Sequence, residues 1–365
     1  MRIAFFHNVP SGGAKRVVYE QVKAFAKQHE VTLIQFPNKK KDFLDFSKLP
    51  IDLIEYNAAS VSFLEKIGRA GVDLHELIWL RTIHSKIAAD IDKHKFDCII
   101  VHPDKLTQAP FLLRFLKTPS IYYCEEWLRI VYEKEFESTQ KHDWLRMRYE
   151  QTVRRLRKRI DRRNARKATL ILANSTFTKN HIGLAYHTSS QVCYPGVDSN
   201  IFKPKKQKRK PMLLFIGEPA EVTGYNLIEA ALALIKDSTR PQLRIVNSFT
   251  ISDEKLASLY SQSLATVCLS YNEPFGLAVL ESFACKTPVI ALREGGYKET
   301  VRNGKTGFLV TRSPEMIANR IEFLLKSPKR ADVMGENGRK DILEHWTWKQ
   351  HTDCLIQTIK DIMKQ

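Results

Sequence analysis

Long apolar runs and paired cysteines are missing from this sequence of 365 residues, and its first residues do not have the pattern expected of a leader peptide. No apolar run approaches the ~18–20 residues of a membrane span, which argues against a transmembrane protein. The N-terminus lacks the long apolar core and the small-residue cleavage site of a signal peptide, and it is typical of a buried first strand. The six cysteines form no Cys-x-x-Cys pair, so neither a zinc knuckle nor a disulfide framework is expected. Together these absences predict a cytoplasmic protein.

Basic residues greatly outnumber acidic ones, with 58 Lys and Arg against 40 Asp and Glu and a formal net charge of +18. This excess predicts an acidic partner, which is nucleic acid, an anionic membrane surface or a phosphorylated substrate. Residues 141–167 contain twelve of the basic residues and three acidic ones. Apolar residues recur there at helical spacing, namely Leu145, Tyr149, Val153, Leu156 and Ile160. The pattern predicts a basic amphipathic helix, which either contacts an anionic membrane or packs its apolar stripe on its own domain. No motif supports binding of nucleic acid.

Short β-rich runs alternate with helix-length amphipathic segments, which predicts parallel sheets covered by helices on both faces. The predicted strands are residues 3–7, 31–36, 98–102, 120–124 and 170–174, and then 212–217, 243–247, 265–269, 288–291 and 307–310. A basic connector with two prolines, residues 198–211, separates the two sets and is typical of an exposed linker. The sequence therefore predicts an α/β protein with two doubly wound domains.

Ligands bind such sheets beyond the carboxyl ends of the strands, so the loops that follow strands are the candidate sites. Gly12 and Gly13 follow the first predicted strand and precede a predicted helix at residues 14–27. Glycines at this place permit close approach of the backbone to a phosphate, although a plain turn is an alternative. His102 ends another predicted strand, where it either binds a ligand or has a structural role.

Glu273 and Glu281 enclose a turn and the start of an apolar helix. Gly276 allows close approach of a ligand, and Pro274 is compatible with the first helical turn, whose exposed N–H groups bind anions. A glycosidase pair needs carboxyl groups ~5–5.5 Å apart, whereas eight residues of helix rise ~12 Å. That separation suits a nucleotide sugar, with one carboxylate on the sugar, helix amides on the diphosphate and the other carboxylate on the ribose.

The run from Glu273 to Glu299 resembles the donor-site signature of family-4 retaining glycosyltransferases, also called glycosyl transferases group 1. Further segments match over nearly the whole chain, namely Gly12-Gly13 and residues 122–129, 173–178, 194–198, 303–310 and 346–348. The resemblance implies the GT-B fold, in which two Rossmann-like domains face each other across a cleft. It assigns residues 1–200 to an acceptor-binding domain, completed by a C-terminal helix at about 346–365. Residues 201–345 then form the nucleotide-sugar domain.

The resemblance also implies the site residues and the reaction. Glu273 is expected to contact the transferred sugar and Glu281 the ribose. The diphosphate is expected on backbone amides around Phe275, Gly276 and Leu277 and around Gly12 and Gly13. The expected acceptor contacts are His102, Glu125 and Arg129. The implied reaction moves a hexose, with retention, from a nucleoside diphosphate sugar to a glycan or lipid-linked glycan, without metal or cofactor.

Glu218 and Thr223 depart from the family pattern at the expected donor site. Relatives carry Gly-Arg-x5-Gly with a Lys before the last Gly, and these two cations clamp the diphosphate. Glu218 replaces the Arg and Thr223 replaces the Lys, which weakens charge stabilisation strongly. The basic residues that are candidates to compensate are Lys15, Arg16, Arg129 and Arg293.

Two further departures are Glu125, where relatives have His, and Lys286, where they usually have Gly. A role of that His in acceptor binding or proton handling therefore does not carry over unchanged. The missing clamp at Glu218 and Thr223 leaves a second hypothesis open. The chain is then a glycosyltransferase-like subunit that has lost catalysis and assists an active partner.

Overall fold

The computed structural model describes residues 1–37, 44–57, 69–133, 144–247 and 250–364, without the side chains of 69–74, 145 and 146. These residues form two compact units. The first comprises the described residues of Met1–Asn174, then Thr178–Cys193 and the residues from Cys354 onward. The second comprises Ser175–Phe177 and the described residues of Tyr194–Asp353.

The first unit is built on a parallel sheet of seven strands in the order β3-β2-β1-β4-β5-β6-β7. Its strands are β1 Arg2–Asn8, β2 Glu30–Gln35, β3 Asp52–Glu55, β4 Cys98–Asp104, β5 Ser120–Cys124, β6 Leu170–Ala173 and β7 Gln191–Val192. Its helices are α1 Gly13–Phe25, α2 Arg69–Lys93, α3 Arg129–Tyr132, α4 Trp144–Ala165 and α5 Thr176–Tyr186. The chain adds strands on one side of β1 and then crosses to the other, so β1 and β4 enclose the topological switch point where such sheets bind ligands.

The second unit contains a parallel sheet of five strands in the order β12-β11-β10-β8-β9. Its strands are β8 Met212–Ile216, β9 Gln242–Val246, β10 Ala265–Cys268, β11 Val289–Leu292 and β12 Gly307–Val310. Its helices are α6 Tyr225–Ala233, α7 Asp253–Gln262, α8 Leu277–Ala284, α9 Tyr297–Thr300, α10 Pro314–Lys326 and α11 Pro328–His345. The last helix, α12 Trp348–Met363, begins in the second unit and passes into the first at Cys354. Here β8 and β10 enclose the switch point.

The predicted α/β class with parallel sheets is confirmed, and each of the ten predicted strands is present within two residues of its predicted bounds. Sequence reasoning missed β3 and β7, which have four and two residues and lie at the two edges of their sheet. The residues of β3 are mostly exposed and β7 has only two residues, so neither strand leaves a buried apolar run in the sequence. Among the described helices, none has both the length and the apolar character needed to span a bilayer.

Candidate active site

Residues 273–276, here called the donor turn, connect β10 to α8 at the switch point of the second unit. Gly276 has a φ of +92°, and a Cβ added to it would lie 2.5 Å from a ring carbon of Tyr297. Only glycine fits this conformation and this space. Leu277 then begins α8, and the N–H groups of its first turn carry the partial positive charge of a helix start. An anion at this place would be stabilised.

The backbone of Gly295 and Gly296 supports the donor turn. The N–H of Gly296 donates a hydrogen bond of 2.8 Å to the carbonyl of Glu273. A Cβ added to Gly295 would lie 2.2 Å from that same carbonyl oxygen, and one added to Gly296 would lie 2.5 Å from the carbonyl oxygen of Pro274. The Gly-Gly pair in the sequence therefore exists because two backbones touch here.

An aromatic cluster anchors the donor turn through Phe275, whose side chain is buried. The ring centroid of Phe275 lies 6.2 Å from that of Tyr194 and 5.8 Å from that of Trp346. The rings of Tyr194 and Trp346 are 5.1 Å apart in an edge-on arrangement. Because the Phe275 side chain belongs to the core, the part of this residue that can meet a ligand is its backbone.

The two carboxylates of the segment differ in environment. Glu273 is half-buried in the turn, whereas Glu281 is buried on α8, where its Oε2 accepts a hydrogen bond of 2.8 Å from the Tyr260 hydroxyl. The expectation of eight helical residues between them is wrong, because α8 begins only at Leu277. Leu277 to Glu281 therefore contributes a helical rise of ~6 Å. The expected place of Pro274 in the first helical turn is wrong too, since it precedes the helix by three residues.

Residues 217–224, here called the clamp loop, follow β8 on the other side of the switch point. The hydroxyl of Thr223 lies 2.7 Å from the carbonyl of Ala220 and 3.0 Å from that of Glu218, and it accepts a bond of 3.1 Å from the N–H of Ala220. Thr223 therefore closes the loop on itself. Gly224 has a φ of +71°, and an added Cβ would lie 2.2 Å from the carbonyl oxygen of Leu269. Glu218 is exposed, and the loop contains no basic residue.

The basic residues expected to compensate for the clamp lie in different places. Arg293 is directed to β12, where its guanidinium donates to the carbonyl of Leu309 at 3.3 Å. Arg129 forms a two-point pair with Glu133, at 3.0 and 3.1 Å, which balances its charge. In the first unit, Lys15 and Arg16 are both buried on α1.

Sequence reasoning missed Arg312, which lies beside the donor turn. Its guanidinium is 3.8 Å from the ring centroid of Tyr271 and bonds both carboxylate oxygens of Glu294 at 2.6 Å. The same carboxylate accepts the N–H of Asn272 at 3.3 Å. Arg312 is 41 positions from Tyr271 in the sequence, so no local pattern indicated the contact. Because Glu294 balances its charge, we interpret Arg312 as a residue that holds the loop in place, and not as a free cation for a ligand.

Three predicted residues of the first unit lie at the carboxyl ends of β4 and β5. His102 is fully buried between Glu125 and Gln21, with Nδ1 2.7 Å from Oε1 of Glu125 and Nε2 2.8 Å from Oε1 of Gln21. Burial lowers the pKa of His102 to about 3 and raises the pKa of Glu125 well above its usual range. Both pKa shifts are consistent with a neutral His102 whose Nδ1 accepts a hydrogen bond from the protonated carboxyl group of Glu125. The Oε2 atom of Glu125 has no hydrogen-bond partner among the described residues, and Arg129 begins α3 four positions later.

Gly12 and Gly13 occupy the predicted place at the end of β1. Gly13 is the first residue of α1, and the carbonyl of Gly12 accepts the N–H of Arg16 at 3.1 Å. Gly12 has a φ of 171°, which is extended backbone that other residues also adopt. The predicted helix start is therefore present, although this loop does not need the left-handed freedom of glycine at Gly12.

The predicted basic helix is present as α4, although residues 141–143 and the side chain of Leu145 lie outside the described part. Its exposed basic residues are Arg148, Arg155, Arg159, Arg163 and, just after the helix, Arg166. Tyr149, Val153 and Ile160 of the predicted stripe are half-buried. Leu156 is 43% exposed and Trp144 is 58% exposed. The helix thus packs part of its stripe on its own unit and leaves arginines and three large apolar residues, Trp144, Met147 and Leu156, at the surface.

Comparison with known families agrees with this architecture. Residues 11–200 match the family model described as Glycosyltransferase Family 4, and residues 248–341 match the model described as Glycosyl transferases group 1. The first match alone covers more than half of the chain. The chain therefore belongs to glycosyltransferase family 4.

Two curated relatives illustrate the likeness in sequence. A probable sucrose-phosphate synthase from Thermosipho melanesiensis is 34% identical over 154 residues, which is 40% of this chain and 33% of that protein. A GDP-mannose-dependent phosphatidylinositol monomannoside mannosyltransferase from Mycolicibacterium smegmatis is 42% identical over 88 residues, which is 24% of this chain and 23% of that protein. The chain therefore spans a third or less of the length of these two relatives.

Solved structures resemble the whole chain. The sucrose-phosphate synthase of Thermosynechococcus elongatus matches with a TM-score of 0.75 and 19% identity over 100% of this chain and 99% of its own. Alr3699/HepE of Anabaena, solved in complex with UDP and glucose, matches with a TM-score of 0.70 and 16% identity over 99% of both chains. At this identity the likeness shows the fold, and the predicted GT-B fold is confirmed.

Proposed function

We propose that this protein transfers a hexose from a nucleoside diphosphate sugar to a hydroxyl group of a glycan or lipid-linked glycan, with retention of configuration. The observation that carries the proposal is the segment from Glu273 to Glu281. It combines a half-buried carboxylate, a helix start and a buried carboxylate at one switch point. The Anabaena protein, solved with UDP and glucose, and the mannosyltransferase relative, described as GDP-mannose-dependent, support the donor class.

Each group of the donor segment has a distinct role in this proposal. Glu273 binds hydroxyl groups of the transferred sugar, and Glu281, oriented by Tyr260, binds the ribose. The amides of Phe275, Gly276 and Leu277 stabilise the diphosphate, to which the amides of Gly12 and Gly13 also contribute.

The transfer itself breaks one bond and forms another on the same face of the sugar. The bond from the anomeric carbon to the diphosphate oxygen breaks while the bond to the acceptor oxygen forms. The acceptor's proton passes to the leaving diphosphate. Catalysis consists of positioning and of stabilising the charge that develops on the leaving group. The nucleotide sugar is the only co-substrate in this scheme, and no metal or cofactor takes part.

The acceptor is assigned to the first unit, where His102, Glu125 and Arg129 were predicted. Both ring nitrogens of His102 are bonded within the protein, so this residue acts through Glu125. The buried Oε2 of Glu125 is an acceptor without a described partner, which suits a hydroxyl donor such as a sugar. Arg129, balanced by Glu133, is proposed to contact the acceptor without adding net charge.

The direct test is nucleoside diphosphate release from UDP-glucose and from GDP-mannose. Glu273→Gln should lower the rate by ~10²–10³-fold, because it removes a charged contact at the reacting sugar. The matched control is Glu254→Gln, an exposed residue in the first turn of α7. Absence of release with every sugar nucleotide, or equal rates for Glu273→Gln and wild type, would contradict the proposal.

We also propose that α4 holds the protein on an anionic membrane, at its cytoplasmic face. The supporting observation is the exposed row of arginines beside Trp144 and Leu156, since arginine heads with apolar neighbours suit a lipid interface. Each basic side chain near such a surface contributes ~1 kcal/mol. Replacing Arg155, Arg159 and Arg163 by Gln should therefore weaken binding to phosphatidylglycerol vesicles by ~100-fold.

The control for the vesicle experiment removes three exposed basic residues elsewhere, Lys329, Arg330 and Lys340, all on α11. These substitutions change the net charge by the same amount. Equal losses for the two triple variants would mean that only net charge matters, and α4 would then have no special role. Binding to neutral phosphatidylcholine vesicles should be weak for every variant.

The alternative of a catalytically inactive subunit has one specific observation in its favour. The clamp loop has an exposed acid at Glu218 and a self-closed hydroxyl at Thr223, and none of its residues is basic. Calorimetry with UDP and with GDP separates the two functions. Micromolar binding of either nucleotide supports the enzyme, whereas no heat with both supports the subunit.

A further inference from the structure

The three residues Ser175–Phe177, at the start of α5, group with the second unit although the rest of α5 belongs to the first. Ser175 is fully buried, and its hydroxyl donates a hydrogen bond of 2.6 Å to the carbonyl of Pro274. Proline has no backbone N–H, so this carbonyl is its one polar backbone group. A single side chain, 99 positions away, thus fixes the residue that follows Glu273.

Glu299 holds the same three-residue segment from α9. Its Oε1 accepts the N–H of Phe177 at 2.8 Å, and its Oε2 accepts the N–H of Thr176 at 2.9 Å. The hydroxyl of Tyr194 donates to Oε2 as well, at 2.8 Å. A carboxylate that accepts the first N–H groups of a helix is stabilised by hydrogen bonding and by the helix dipole. Glu299 is therefore held by three donors in one orientation.

The contacts close into a ring of three backbone segments. Gly295 and Gly296, which immediately precede α9, touch the backbone of Glu273 and Pro274 so closely that no Cβ fits. Glu299, within α9, binds the start of α5, and Ser175 at that start binds Pro274. A shift of any member moves the other two, since interiors packed this closely transmit displacement.

We propose that Ser175 and Glu299 are positioning residues that set the place of the Glu273 carboxylate for sugar transfer. The role rests on the proposed function, because it assumes that Glu273 meets the transferred sugar. Neither side chain touches the sugar in this scheme. They act through the donor turn, where a misplacement of about 1 Å lowers a rate by ~10²-fold.

The kinetic test uses Ser175→Ala and Glu299→Gln with UDP-glucose and GDP-mannose as donors. Ser175→Ala removes the hydroxyl that bonds the Pro274 carbonyl, and Glu299→Gln replaces one accepting oxygen by an NH2 group that faces a donor. For both variants kcat should fall ~10–100-fold, while KM for the sugar nucleotide should rise less, because Leu277 and Glu281 lie on α8, outside the donor turn. Tyr194→Phe removes only one of the three donors to Glu299 and should lower kcat least.

A second measurement keeps the positioning role testable whatever the activity. Amide hydrogen exchange of residues 272–281 should become faster in Ser175→Ala and in Glu299→Gln, with the exchange of β8 and β10 unchanged. Unchanged exchange of the donor turn overturns the inference. Faster exchange throughout the second unit also overturns it, because the residues would then be merely structural.

The outcomes separate this inference from the proposed function. If Glu273→Gln releases nucleotide as fast as wild type, the proposed function fails, whereas the exchange experiment still tests the ring. If Glu273→Gln is inactive and Glu299→Gln has the wild-type kcat, only the positioning role fails. Glu254→Gln serves as the control in both measurements.

Discussion

The clamp loop and the donor turn lie on either side of the same switch point, yet they match the family pattern in different respects. The donor segment contains both expected carboxylates, Glu273 in the donor turn and Glu281 on α8, and the backbone of Gly295 and Gly296 supports the turn. The clamp loop matches the family pattern only in its glycine and its backbone path, and its charged residues differ. Its last glycine, Gly224, still packs on Leu269 in a left-handed conformation, but the two cations of the family pattern are replaced by Glu218 and Thr223.

This difference shows that the path of a loop and its charge are determined separately. Glycines and close backbone contacts fix the path, so side chains can change without moving the chain. In the clamp loop, Thr223 bonds to backbone atoms of Ala220 and Glu218, which closes the turn without a cation. Nucleotide binding should therefore depend on the amides and carboxylates of the donor segment more than in relatives with an intact clamp.

The largest effect is expected from breaking the support of the donor turn with Gly295→Ala. The new Cβ would lie 2.2 Å from the Glu273 carbonyl oxygen, and Gly295 has a φ of +56°. We expect ~100-fold lower kcat and a loss of ~3 kcal/mol in the free energy of unfolding from backbone strain plus the clash. Steady-state kinetics and denaturant titration measure the two quantities.

Gly304→Ala is the matched control for this substitution. Gly304 has a φ of +76°, yet no atom lies within 4 Å of an added Cβ. It should lose only the ~1–2 kcal/mol of left-handed strain and keep its kcat. If both variants lose the same activity, backbone contact at Gly295 does not support the donor turn.

The contrast between local and distant contacts also explains which features of the structure the sequence could predict. Apolar runs predicted ten of the twelve described strands, and the Glu-x7-Glu spacing predicted the donor segment, because these signals lie within a few residues. The bond between Tyr260 and Glu281, and the one between His102 and Gln21, join residues 21 and 81 positions apart. No periodicity indicates such pairs. The sequence predicts the start of α8 too early, because the residues of the donor turn are compatible with a first helical turn. In the structure Gly276 has a left-handed conformation, and the helix begins after it.

A smaller effect is expected at the other end of the donor segment, from Tyr260→Phe. The substitution removes the hydroxyl that bonds Glu281 at 2.8 Å and leaves a buried carboxylate oxygen without that donor. The free energy of unfolding should fall by ~1–3 kcal/mol. Affinity for UDP or GDP should fall ~10-fold, since ~1.4 kcal/mol of orientation is lost.

Calorimetry and thermal unfolding check this prediction, with Tyr271→Phe as the control. Tyr271 also lies in the second unit, and its hydroxyl is 3.5 Å from Oδ1 of Asn226. An unchanged nucleotide affinity in Tyr260→Phe would show that Glu281 does not need this bond to meet the ribose. In that case the contacts of the donor turn would hold the donor segment in place without the Tyr260–Glu281 bond.

The smallest change should come from restoring one charge to the clamp loop with Glu218→Arg. Glu218 is exposed, and the Asn247 side-chain amide lies 3.5 Å from its carboxylate, so the substitution should leave the fold intact. Replacing an acid by a guanidinium near a diphosphate should tighten binding of UDP or GDP ~10-fold at low salt, and added salt should reduce the gain. Thr223→Lys should give less, because it also removes the hydroxyl that closes the loop. If Glu218→Arg leaves nucleotide affinity unchanged at every salt concentration, the diphosphate does not lie near the clamp loop. The clamp loop and the donor turn would then not bind the same ligand.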